Sequence, residues 1–97
     1  MSEPFATYRV RLNGRLWRLR FVRVSELPKD VLGVCDHPPG RHPSISVKAR
    51  QDKTMLLDTT IHECLHAAVP QLDEETITRV AAELSRVLVR LGCRIEF

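Results

Sequence analysis

Long apolar runs are missing from this chain. No stretch approaches the roughly 18 consecutive apolar residues of a membrane-spanning helix, so no membrane partner is expected. Cysteine is scarce as well. Cys35, Cys64 and Cys93 are odd in number and form no CxxC pair. Free thiols in a reducing compartment are the simple account, and the wide separation of the three argues against a structural zinc site built from them. Met1 to Ala6 lacks a basic segment followed by an apolar run, so no signal peptide is visible and the expected location is cytoplasmic. Aromatics make up only 5% of residues, which leaves most of the core to aliphatic side chains. Internal repeats and low-complexity tracts are absent too.

What remains is an ordinary globular composition. The 97 residues are 43% hydrophobic and 28% charged, enough for a single domain spanning residues 1–97 with a thin core. The net charge of +3 and pI of about 9.1 are mildly basic. They permit an acidic or nucleic-acid partner without requiring one.

The first third of the chain alternates. Tyr8–Leu12 and Arg15–Val24 flank Asn13-Gly14, a dipeptide suited to the two positive-φ positions of a tight hairpin turn. Tyr8, Val10 and Leu12 then share one face and Arg9 and Arg11 the other. Pro28 and Asp30 mark a bend, Val31–Cys35 a short strand, and Asp36–Pro43 a proline-rich loop. Ile45–Ala49 alternates again. Two helices follow, one from about Asp52 or Asp58 to Val69, the other from about Asp73 to Leu91. Asp73 is placed to cap the second helix and Gly92 to end it. Cys93–Phe97 is a tail with strand character. The expected fold is α+β: an N-terminal antiparallel β-sheet followed by two packed α-helices.

Chemistry concentrates in His62-Glu63-Cys64-Leu65-His66, an HExxH sequence. Residues four apart on a helix lie one turn above each other, so two imidazoles can converge on one ion. Zinc accepts such nitrogens in a tetrahedral shell. Glu63 is placed to act as general base toward water activated by the metal. On a helical wheel, Leu57, Ile61, Cys64, Leu65 and Ala68 form an apolar stripe with His62 and His66 on its flank. Chance yields two His and a Glu at this spacing in about one chain of this length in several hundred. A solvated helix flank is therefore the weaker reading.

A third protein ligand is needed. The short turn Pro70-Gln71-Leu72 predicts antiparallel helices, which brings residues 74–78 level with His66. Glu74 lies at the edge of the second helix's stripe (Ile77, Val80, Ala81, Leu84, Val87, Leu88, Leu91), so Glu74 is preferred over Glu75.

This pattern resembles the zincin metallopeptidases, in particular the gluzincin branch and compact domains of the ImmA/IrrE type or SprT-like kind. After HExxH and a turn, their next helix reads Glu-x-x-apolar-x-x-apolar-Ala-x-x-Leu. Glu74, Ile77, Val80, Ala81 and Leu84 match it, although the gap from His66 is shorter than in most of these families. The resemblance covers about His62 to Leu84. It implies a small zincin-like domain that hydrolyses peptide bonds with Zn2+ held by His62, His66 and Glu74. It also implies a strand beside the cleft that pairs with an extended peptide or protein substrate, a place expected for Ile45–Ala49.

Two rival functions come from the same residues. One is a catalytically silent zincin-like module that binds metal or a partner. The other is a basic nucleic-acid-binding domain, suggested by Arg9, Arg11, Arg15, Arg18, Arg20 and Arg23, whose plainer role is the solvated face of an amphipathic sheet. His37, His42, Arg41, Tyr8 and Arg79 compete for orienting substrate or stabilising an oxyanion. Cys64 reads as a small buried hydrophobe.

Overall fold

The computed structural model describes residues 4–97. The leader reading over Met1–Ala6 falls partly on residues 1–3, outside the described residues. Strands β1 (Ala6–Leu12), β2 (Arg15–Val22), β3 (Gly33–Cys35) and β4 (Ser44–Lys48) precede helices α1 (Lys53–Ala68) and α2 (Glu74–Arg90). A single 3-10 turn, Val24–Glu26, follows β2. The architecture is the expected α+β, sheet first and helices second.

Asn13 and Gly14 have φ of 52° and 74°, as a two-residue hairpin turn requires. The register that follows pairs Val10 with Trp17 and Tyr8 with Leu19. It sends Trp17, Leu19 and Phe21 inward and leaves Arg9, Arg11 and Arg18 exposed. One side of the sheet is thus apolar and the other basic.

The sheet differs from the antiparallel expectation in one pairing. Its order is β1-β2-β4-β3, and β4 runs parallel to β2 but antiparallel to β3. A parallel pair needs a long crossover, and residues 23–43 supply it. The benefit is burial. Ile45 and Val47 are fully buried because strands flank β4 on both sides. β4, expected at an edge beside a cleft, is therefore an interior strand, and β1 and β3 are the edges of the sheet.

Trp17, Leu19, Phe21, Ile45, Val47, Leu56 and Ala67 form the core. Two of the five aromatics sit at its centre: Trp17 and Phe21 are its two bulkiest fully buried side chains, while Phe5, Tyr8 and Phe97 are exposed. Helix α1 contacts β1, β3 and β4 as well as α2. Sandwiched in this way, it distributes burial around its circumference. Leu56, Leu57, Thr59 and Ala67 are buried, whereas Ile61, Cys64, Leu65 and Ala68 of the expected stripe are only half-buried. The Asp52 carboxylate accepts the Met55 N–H at 2.9 Å, which starts α1 at Lys53 and not near Asp58.

Asp73 caps α2 by accepting the Thr76 N–H at 2.7 Å. At the other end Gly92 adopts φ 86°. The N–H groups of Gly92 and Cys93 then bond the carbonyls of Val89 and Leu88, the paired bonds of a Schellman cap. Burial on α2 is narrower than its sequence stripe: Ile77, Ala81 and Ser85 are buried, while Leu84, Val87 and Leu91 are exposed. The tail after Gly92 forms no strand. Phe97 anchors it instead, with ring centroids 5.0 Å from Phe21 and 6.2 Å from Phe5. Among the described residues, no helix is long and apolar enough to cross a membrane.

Candidate metal centre

His62 and His66 stand one turn apart on α1, with ring centroids 5.0 Å apart. Pro70 lies just past the end of this helix, and Asp73 caps the next one three residues later. That tight reversal sets the first residue of α2, Glu74, opposite the two imidazoles. Glu74 Oε1 lies 2.7 Å from His62 Nε2, and Oε2 lies 2.9 Å from His66 Nε2. One carboxylate thus bridges both rings. Glu75, the alternative, does not join them.

The three donor atoms lie within 4.8 Å of one another. A tetrahedral ion bound at about 2.0–2.2 Å places its ligand atoms roughly 3.3–3.5 Å apart. The present His–Glu separations are slightly shorter, so small side-chain rotations open the space an ion needs. The histidines are partly shielded, at 20% and 33% side-chain exposure, and Glu74 is 64% exposed. Two nitrogens and one oxygen at this spacing are a donor set able to hold a metal ion.

Glu63 is half-buried beside the triad. Burial raises its pKa above the ordinary carboxyl value; the His62 and His66 rings pull it back down, and Glu74 pushes it up. The cause of the burial is β3. A β-carbon built on Gly33 would stand 3.0 Å from Glu63 Cγ and 2.8 Å from Thr59 Cγ2. Only glycine lets helix and strand approach this closely.

Two hollows meet at Glu63. One is lined by Cys35, His37, His66, Pro70 and Glu74. The other includes Asp30, Gly33, Met55, Asp58 and His62. The β3 residues Cys35 and Gly33 stand on the walls of the first and second respectively. A larger hollow beside Phe5, Arg50, Asp52 and Phe97 contains none of the metal donors, so size alone does not locate the chemistry.

Of the five side chains considered for substrate orientation, His37 lines the first of the two hollows at Glu63. His42 lies in a separate hollow with Arg9 and Arg18. Tyr8 packs edge-on against Phe21, and Arg79 pairs with Glu83 at 3.0 Å. Gly33 and Cys35 belong to the site without a sequence signal, since they meet Glu63 only across a distance of some 30 positions in the chain. The Cys35 thiol is pushed up to about 12, chiefly by burial and then by the Glu63 charge. Cys64 rises to about 11 for the same two reasons.

Comparison of this chain with family models, with curated proteins and with solved structures finds no match.

Proposed function

We propose that this chain is a zinc-dependent metallopeptidase of the zincin type, with His62, His66 and Glu74 as metal ligands and Glu63 as general base. One observation carries the reading. Two imidazole nitrogens and a carboxylate from the neighbouring helix converge on one point, beside the half-buried Glu63 carboxylate, which forms no ion pair among the described residues.

A zinc ion held there supplies Lewis-acid polarisation of a carbonyl and brings the ionisation of water close to neutral pH. The remaining tasks belong to the chain's own residues. Glu63 takes a proton at a carboxylate oxygen as water attacks, then returns it to the leaving amine. Asp73 caps the helix start whose backbone presents Glu74.

The substrate is an extended peptide lying along β3. Leu32 accepts from Lys48, and the Asp36 N–H bonds Ser44. Antiparallel alternation therefore turns the backbone groups of Gly33 and Cys35 toward the open edge. An added strand would bond them there. His37, on the cleft wall, is assigned to hydrogen-bond the substrate or the developing oxyanion.

The test is metal analysis combined with turnover. Purified chain should bind one zinc. Glu63→Gln should keep that zinc while hydrolysis of an unstructured peptide falls by about 10²–10⁴-fold, the usual worth of a general base. Failure to bind zinc at neutral pH would overturn the proposal. Zinc retained without cleavage of any peptide library would favour the silent module.

A further inference from the structure

The metal centre leaves the opposite side of the sheet unexplained. From Pro4 to Ser25 the chain carries six arginines and no acidic residue. Strand alternation puts Arg9, Arg11, Arg18 and Arg20 together on the side turned away from the core. Arg9 pairs directly with Arg18, and Arg18 with Ser44; Thr7, Arg20 and Ser46 form the next row. Like charges placed directly across a strand pair are unfavourable by themselves. Strands β1, β2 and β4 hold no Asp or Glu to relieve them. The ion pairs of Glu74, Glu83 and Glu96 lie away from these strands.

The guanidinium groups are nonetheless oriented. Arg18 donates to the His42 carbonyl at 3.4 Å, and Arg20 to Ser46 Oγ at 3.3 Å. Both acceptors are neutral, so these two bonds steer the side chains without bringing an opposing charge to them. The positions between them, Thr7, Ser44 and Ser46, are small and keep the surface low. Leu16 on β2 and Val34 on β3, the cross-strand partner of Ser46, are the exposed large apolar residues on this side.

We propose that this arginine face binds the phosphate backbone of a nucleic-acid duplex. Arginine's planar fork matches phosphate oxygens. Side chains two residues apart on a strand repeat at about 6.7 Å and neighbouring strands at about 4.8 Å, a regular cationic lattice suited to a regular polyanion. Two competitors are disfavoured by the same surface. Single strands are gripped by stacking on aromatic side chains, and this face has none. Acidic proteins dock around a clustered apolar or aromatic anchor, and Leu16 and Val34, on strands separated by β4, do not form a cluster. The proposal is independent of zinc binding.

The experiment is fluorescence anisotropy of a mixed-sequence DNA duplex of roughly 20 base pairs, titrated with full-length chain at several salt concentrations. Four phosphate contacts predict a log K against log[salt] slope of about −3 to −4. Arg9→Gln/Arg18→Gln should flatten that slope by about 2 and weaken binding at least tenfold at low salt. Arg11→Gln/Arg20→Gln provides a second pair should the first fail to fold by circular dichroism. Arg86→Gln/Arg90→Gln on α2 should leave binding unchanged. The proposal is overturned by no binding at about 50 mM salt or by face variants that bind like the parent chain. Tighter binding of a single strand, or of polyglutamate at equal charge, overturns it as well.

Discussion

Gly33 and Glu63 are in direct apposition: a β-carbon on the strand residue would stand 3.0 Å from the glutamate's Cγ and 3.4 Å from its Oε2. The edge strand thus sets where the proposed base sits. Gly33→Ala should push Glu63 and Thr59 aside while leaving both histidines and Glu74 in place. Misplacement of a reacting group by about 1 Å costs up to about 10²-fold in rate. The expected result is a fall of roughly 10–100-fold in kcat with zinc content unchanged. Overpacking should also lower stability by about 1–3 kcal/mol. Peptide hydrolysis, metal analysis and denaturant melts measure the three quantities separately.

Glu74 and Glu75 share the first turn of α2, and each interacts favourably with its positive end. Substituting either by Gln should therefore cost a similar amount of stability. Zinc affinity separates them, because only Glu74 meets His62 and His66. Glu74→Gln should weaken zinc by more than the roughly 10–100-fold typical of losing an outer partner of a ligand. Glu75→Gln should change it less than about twofold on the same scale. Equal effects in a chelator competition assay would remove Glu74 from the ligand set.

Asp73 links helix capping to the candidate metal centre. Its bonds to the Thr76 backbone and side chain hold the carboxyl below its ordinary value of 3.8. A lowered native pKa stabilises the folded state above pH 3.8, and that contribution disappears as the pH falls through the native value. Asp73→Ala should melt earlier than the parent between pH 5 and 8, with the gap closing on acidification below about pH 4. Asp73→Asn, which retains a capping oxygen, should recover most of the loss. Zinc affinity should fall in the Ala variant as well, because the cap holds Glu74 in position.

The three thiols should react unequally. Cys35 and Cys64, raised to about 12 and 11 by burial and by Glu63, stay protonated at neutral pH, whereas alkylation needs the thiolate. Cys93 is exposed just past the α2 cap. Brief iodoacetamide treatment of native chain followed by peptide mapping should label Cys93 first. Early labelling of Cys35 would mean that the cleft is far more open, or Glu63 far less charged, than described.

Local signals in the chain were sufficient for a good part of the structure. Asn13-Gly14 specifies the hairpin because few other pairs accept two positive φ values. Asp73 and Gly92 delimit α2 because capping is a matter of neighbouring backbone groups. HExxH places both imidazoles on one helix face whatever surrounds them, and the short turn after Pro70 was enough to favour Glu74. The strand beside the cleft was not legible: Ile45–Ala49 alternates as an edge strand would, yet β4 lies inside the sheet.

What the amino-acid order determined alone is therefore everything governed by residues within a few positions of each other: hairpin, caps, helix faces and the spacing of the metal donors. Tertiary structure alone decided the parallel pairing of β2 with β4, the edge position of β3, and the closeness of Gly33 to Glu63. These depend on which surfaces bury the most apolar area together. A short segment such as Gly33–Cys35 has too little pattern of its own to indicate its neighbours. The uncovered Leu84, Val87 and Leu91 follow the same rule, since a helix stripe states what can be buried and only a packed partner decides how much of it is.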